Sequence, residues 1–472
     1  MNQFSGGHGR IPDHTESTSE LPLHDSTPEQ TGTITLKQRL IHGSAWMIFG
    51  YGATQVLRLV SNLVLTRLLF PEAFGLVALC GVFLQGIEMF SDLGIEVSVI
   101  QNKRGEEPSF IRTAWTIQVL RGFVLWAGII AITWPVASFY EKPELLAFLP
   151  AIGFAVVLRG FTSANLFSTI RRIETKRLAL LNIFTQAMSI AVMCGAAYYW
   201  RSAWVLIIGV YARAILFVVL SHIILGSLRM RFELRRDAAR EILHFGKWIL
   251  LATILGYIAN RAGHLVLGKF MSLGAFGVFS IAVLLAEVPE TLIKELTRKI
   301  LFPLYSRTAE YSMDQLRRHT VRIRRVLLLA FLPPTWLLVV FGPEIVTILF
   351  DDRYVEAGWM LQILGIRAVL MSIVAPMGTV LLAVGNSRDH MVMVFFNMAT
   401  LLISMLAGGL LGGIQGILIG LAVSPILYYP FLAALIRKQN SWIPFLDVSA
   451  FVASGVAVGL GLWVKGALGL SF

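Results

Sequence analysis

The chain has 472 residues, of which 56% are hydrophobic and only 14% charged, with a mean hydropathy of +0.71. Water-soluble domains carry roughly a quarter charged residues, so this composition excludes a soluble enzyme and requires a multi-pass membrane protein. The net charge of +12 does not imply nucleic acid as a partner, because it collects in short segments between apolar stretches, as membrane topology demands.

In chain order, residues 1–40 are polar, rich in Gly, Ser, Thr, Pro and Glu, and lack an apolar h-region. They read as a disordered cytoplasmic tail, not a signal peptide. A membrane span needs about 20 apolar residues. On that measure the sequence predicts helices at 43–69, 74–99, 113–139, 145–169, 178–199 and 203–226, then at 243–269, 274–298, 322–342, 357–384, 389–411 and 413–436. A thirteenth falls near 445–466. The expected organisation is an N-lobe of six helices over 41–226, a basic linker over 227–242, a C-lobe of six over 243–437 and an extra C-terminal helix within 438–472.

Basic residues mark one side of this pattern. Lys103, Arg104 and Arg112 lie between spans two and three, and Arg171, Arg172, Lys176 and Arg177 between four and five. The linker holds Arg229, Arg231, Arg235, Arg236 and Arg240, and Arg317, Arg318, Arg322 and Arg325 precede or begin span nine. By the positive-inside rule that side is the cytoplasm, with the N-terminus on it.

The two halves resemble each other. His42 to Trp46, Leu63 to Arg67, Ala73-Phe-Gly75 and Glu88 recur as His244 to Trp248, Leu265 to Lys269, Ala275-Phe-Gly277 and Glu290, always 202 residues on. Six spans per half make the repeats parallel in the membrane, a recurring design of alternating-access transporters.

Charges within the spans carry the functional information, since each costs about 2.5–3.5 kcal/mol at mid-bilayer unless paired or wet. Arg58, Arg159, Arg213, Arg261 and Arg367 lie inside spans, with Asn260 beside Arg261. They form a candidate cationic cavity; the alternative is structural ion pairing. Arginine suits phosphate because its planar fork gives two parallel hydrogen bonds. Glu88 with Asp92, and Glu287 with Glu290 and Lys294, form acidic stripes at helical spacing. These four acids are the candidates for coupling to an ion gradient. Cys80 and Cys194 lie in apolar stretches and read as packing. No Walker motif, metal cluster or catalytic triad spacing occurs, so no cofactor, metal or catalytic residue is expected.

The run Gly43-Ser-Ala-Trp46, Thr66 through Ala78, Phe90-Ser-Asp-Leu-Gly-Ile95 and Ile100-Gln101, supported by Arg171-Arg172 and Ser221-His222, resembles the Wzx-type polysaccharide flippases. These are the polysaccharide transporter branch of the multidrug/oligosaccharidyl-lipid/polysaccharide superfamily. The resemblance covers 40 to about 440. It implies an all-α membrane protein of two six-helix lobes around a V-shaped cavity built chiefly by spans one, two, seven and eight. It also implies an undecaprenyl-pyrophosphate oligosaccharide as substrate and flipping across the cell inner membrane for exopolysaccharide or lipopolysaccharide assembly. Membrane lipids and the polymerase and chain-length proteins of that assembly are the implied partners. The competing readings are a cation-coupled multidrug exporter, a lipid II flippase and, from another class, a periplasmic polymerase or ligase. The last would need a large outer loop, and the outer loops here are mostly turns.

Overall fold

The computed structural model describes residues 36–90, 95, 99, 100, 102, 104–172, 174–225, 228–306, 313–383, 386–439 and 441–469, and among these there is no strand. Seven helices come first: α1 (Leu36–Leu68), α2 (Pro71–Phe90), α3 (Pro108–Tyr140), α4 (Leu145–Gly160), α5 (Asn165–Arg171), α6 (Thr175–Tyr199) and α7 (Trp204–Ile224). Seven follow: α8 (Arg236–Phe270), α9 (Leu273–Ser306), α10 (Met313–Val340), α11 (Gly342–Leu349), α12 (Ala357–Ala383), α13 (Ser387–Arg437) and α14 (Pro444–Ala467). Nine described helices are long and apolar enough to cross a membrane, ten if α4 and α5 are one bent span. The protein is therefore an all-α polytopic membrane protein. Large apolar side chains such as Trp134, Leu329 and Trp463 are about 70% exposed, as a lipid-facing surface requires.

Two helices depart from straight rods. α13 is too long for one span and folds back at Gly412 and Gly413, the latter with φ +57°, a left-handed conformation that glycine adopts without strain. Its two legs cross where a Cβ on Gly408 would lie 2.0 Å from the Gly416 carbonyl oxygen, so only glycine permits the approach. The predicted span 145–169 is not one straight helix: α4 and α5 meet at 67°. Polar partners take up the backbone groups freed there. Gln118 Nε2 donates to the Gly160 carbonyl at 2.9 Å, and Ser221 Oγ accepts from the Ser163 amide at 3.1 Å. The sequence at the break, Thr162-Ser-Ala-Asn165, supplies further bonds: Asn165 Nδ2 donates to the Leu228 carbonyl at 3.0 Å.

Helices α1 to α7 pack among themselves, and so do α8 to α14; the two groups meet where α2 crosses α8 and α9 and where α3 reaches α8. At the centre of that contact, a Cβ on Gly75 would fall 1.9 Å from the Leu273 carbonyl oxygen, and a Cβ on Gly277 equally close to that of Pro71. These four residues are two pairs at the 202-residue spacing, exchanged across the contact.

The same end of the molecule carries reciprocal caps. Lys142, only 8% exposed, follows α3 and points its ammonium at the end of α8, donating to the Gly268 and Met271 carbonyls at 2.8 and 3.0 Å. Arg353, between α11 and α12, donates to the Thr66 and Arg67 carbonyls at the end of α1 at 3.0 and 3.2 Å. Both helix ends present orphan carbonyls and the negative pole of a helix, which a cation satisfies. Lys269 adds an ion pair to Glu141 at 2.7 Å. That hydrogen bond holds the Glu141 carboxyl below its usual value, and the Arg353 guanidinium does the same for Asp351. Burial, with Lys269 close by, pushes the Lys142 ammonium down.

The extra helix α14 is tied to α10 near one end and to the start of α11 near the other. Asp447, fully buried, pairs with Arg324 at 2.6 Å, and Lys465 pairs with Glu344 at 2.5 Å. The 18 residue steps from Asp447 to Lys465 rise about 27 Å along a helix, close to the hydrocarbon thickness of a bilayer.

Candidate functional site

Two cavities lie on the inner faces of the two helix groups. The first, about 390 Å³, is lined by residues of α2, α3 and α4 that include Glu88, Gln118, Arg121 and Arg159. Arg159 Nη2 meets Glu88 Oε1 at 2.8 Å, and Arg121 donates to the Glu88 backbone carbonyl at 2.7 Å. Glu88 stands in the last turn of α2, so Arg121 satisfies one of that helix's orphan carbonyls while Arg159 takes the carboxylate. Arg159 is thus engaged, not free.

The second cavity, about 270 Å³, is lined from α8, α9, α12 and α13, with Gln85 and Met89 contributed by α2. Its cations are Arg261, Lys294 and Arg367 and its acids Glu287 and Glu290. Lys294 Nζ grips Glu290 at 2.6 Å one turn away. Arg261 donates to Gln85 Oε1 at 2.8 Å, across the two helix groups, and meets Glu287 loosely at 3.5 Å. Arg367 donates to the Leu421 carbonyl at 3.1 Å and to Ser424 Oγ at 3.3 Å. Asn260 is exposed beside the cavity, its amide donating back to Gly256 at 2.7 Å. His264 stacks edge-on against Phe276 and Phe279.

Arg58 on α1 and Arg213 on α7 behave differently. Both are exposed, and neither guanidinium makes an ion pair or a side-chain hydrogen bond among the described residues. Arg213 stands within electrostatic range of Arg159 and Arg58. Arg58 in turn lies within electrostatic range of Glu287 of the second cavity. Five cations against three carboxylates line the cavities, and these two unpaired arginines add to the excess. Like charges gathered without a counter-charge are unfavourable in a low-dielectric setting unless water or a visiting anion compensates them. The arrangement suits a large, multiply charged anion reached by guanidinium forks.

Of the residues singled out from sequence, the structure brings Arg261, Asn260, Glu287, Glu290 and Arg367 around one cavity and Glu88 and Arg159 around the other. Asp92 lies outside the described residues. Sequence reasoning missed Gln85 and Tyr257. Gln85 stands on α2 one turn before Glu88 and holds Arg261; Tyr257 stands on α8 and donates to the Val82 carbonyl, closing the contact beneath the glycines. A neutral polar residue in an apolar span was the available signal for Gln85.

The polysaccharide biosynthesis protein family matches residues 64–358. The chain is 24% identical to the lipopolysaccharide biosynthesis protein WzxC of Escherichia coli K12, over 92% of this chain and 90% of that protein. It is 22% identical to the succinoglycan biosynthesis transport protein ExoT of Rhizobium meliloti, over 71% and 66% of the two chains. Among solved structures it resembles the lipid II flippase MurJ in an inward closed conformation, with a TM-score of 0.67 at 12% identity over 89% of this chain and 92% of MurJ. An inward-facing multidrug resistance MATE transporter matches with a TM-score of 0.58 at 13% identity, over 81% and 96%. At such identities the structural likeness establishes the fold.

Proposed function

This chain belongs to the polysaccharide biosynthesis protein family, as a Wzx-type flippase, and on that premise we propose what it moves and how. The substrate is an oligosaccharide repeat unit on undecaprenyl pyrophosphate, carried from the cytoplasmic to the periplasmic leaflet of the inner membrane for exopolysaccharide or lipopolysaccharide assembly. Residues 41–226 and 243–437 are the two moving halves, and a polymerase with its chain-length partner consumes the product outside. The observation that carries the reading is the pair Arg58 and Arg213, exposed and without an ion pair among the described residues, with Arg213 in electrostatic range of Arg159. They receive the diphosphate, while the sugars occupy the wet space between the halves.

Positive-inside topology puts the glycine contact and the two helix caps at the periplasmic end. The conformation described is then closed to the outside, and flipping requires those caps to part. Of the three described acids proposed for ion coupling, Glu287 is held most loosely, at 3.5 Å, and is the best placed to change partners as the halves move. Glu88 and Glu290 hold cations at 2.8 and 2.6 Å and set the geometry around it. An exporter of cationic drugs would meet repulsion from this cavity.

The test is made in the organism. Replacing the gene by the Arg58→Gln/Arg213→Gln version should abolish surface polymer and leave lipid-linked repeat units on the cytoplasmic leaflet, at unchanged protein level. Accumulation of unpolymerised units on the periplasmic leaflet would assign the protein to polymerisation instead.

A further inference from the structure

Four arginines at the start of α10 have no part in the cavities. Arg317, Arg318, Arg322 and Arg325, with Val326 and Leu329, line a concavity of about 450 Å³. All four arginines are exposed, and none makes an ion pair or hydrogen bond among the described residues. Arg318, Arg322, Arg325 and Leu329 recur at helical spacing, so three guanidinium groups rise one per turn on a single face. Directly beyond them that face turns apolar: Val326 is 61% and Leu329 71% exposed.

The rotation of α10 is fixed by its opposite side. Arg324, 3% exposed, pairs with Asp447 of α14 at 2.6 Å and donates to the Ile373 carbonyl of α12 at 3.2 Å, and Tyr429 donates to Asp447 at 3.0 Å. A buried pair with this many partners holds the helix in register. The arginine face is thereby held outward, away from α12 and α14.

We propose that this groove binds the headgroup of an anionic phospholipid of the bilayer. The charge alone would meet the positive-inside rule, but that rule needs basic residues only in the connecting segment. Here they climb a helix face and give way to exposed apolar side chains, which is the profile of a lipid with its phosphate among the guanidinium groups and its acyl chains against Val326 and Leu329. The diphosphate of the transported lipid shares this chemistry; its place is the cavity, and the groove faces elsewhere.

The test uses the purified full-length protein in nanodiscs of phosphatidylcholine, with labelled phosphatidylglycerol titrated in and its residence near α10 read from a fluorophore on the adjoining surface. The Arg318→Gln/Arg322→Gln/Arg325→Gln variant should bind phosphatidylglycerol roughly a hundredfold more weakly, at about fivefold per guanidinium removed. The Arg58→Gln/Arg213→Gln variant should bind it as the wild type does. Equal binding by the wild type and the triple variant, with matching thermal melts, would overturn the proposal. So would displacement of the label by undecaprenyl phosphate at concentrations where added phosphatidylglycerol has no effect, because the groove would then be a dock for the transported lipid.

Discussion

Arg58 and Arg261 look alike in the sequence, each a lone arginine deep in the first span of its half, yet their surroundings give them different work. Arg261 is held by Gln85 across the helix groups and by Glu287 at 3.5 Å. Arg58 has no such partner among the described residues. Arg261→Gln should therefore loosen the contact between the halves, by about 1 kcal/mol given the partly exposed pair, and lower the melting temperature. Arg58→Gln should leave melting unchanged and remove transport; a melting loss for Arg58→Gln equal to that for Arg261→Gln would place both in the scaffold. The sequence could set out the intramembrane charges, because an arginine in an apolar run announces itself. It could not say which were satisfied, because the partners stand far away in the chain: Gln85 is 176 residues from Arg261. Arg159 shows the same limit, since its bond to Glu88 depends on how α4 lies against α2.

Helix α14 is the element whose role depends most on one contact. The Arg324–Asp447 pair is buried on both sides, and removing one partner from a buried pair costs about 3–5 kcal/mol because the other charge is left alone. Asp447→Ala should detach α14, seen as faster proteolysis after residue 437, and Arg324→Leu/Asp447→Leu should restore much of the lost stability. If the double variant is no better than the single, the pair is not what fixes the helix. That α14 exists was legible from its run of apolar residues, and so was the break between the two legs of α13, from the glycines around 409–416. The bend between α4 and α5 was not. Small polar residues such as Thr162, Ser163 and Asn165 are tolerated inside straight spans too, and the bend is sustained by Gln118 and Ser221 from other helices.

At the scale of the whole molecule, the closure proposed for the outer end would rest on reciprocal devices: the Gly75–Gly277 approach and the two crossing cation caps. Gly75→Ala would set a Cβ 1.9 Å from the Leu273 carbonyl oxygen, so the halves must separate there. Thiol reagents should then reach an engineered cysteine at Ala73 several times faster than in the parent; an unchanged rate would show that the crossing glycines do not govern closure. Lys142→Met should act in the same direction by uncapping α8. The ion pairs beside these caps give the closure a defined pH range. Glu141 and Asp351 are held below their ordinary values of 4.5 and 3.8. Their contribution is complete above about pH 5 and is lost as the pH falls through and below that ordinary range. The labelling rate should accordingly stay flat from about pH 5 to 8 and rise only in stronger acid. The residues that meet at the centre of this contact, Gly75 and Gly277, stand 202 apart in the sequence, but nothing local to either one said that they would touch. Nor could the sequence foreshadow Lys142 and Arg353, which lie in connecting segments unlike each other in length.

If Arg58 and Arg213 hold the diphosphate of a lipid-linked oligosaccharide during its passage, as we propose, removing both guanidinium groups must stop the lipid from crossing. The most direct measurement is transbilayer movement of a fluorescent undecaprenyl-pyrophosphate oligosaccharide in proteoliposomes, comparing the parent protein with Arg58→Gln/Arg213→Gln. The parent should move the lipid and the variant should lose at least tenfold in rate, with equal incorporation and equal melting. Undiminished movement in the variant would contradict the proposal.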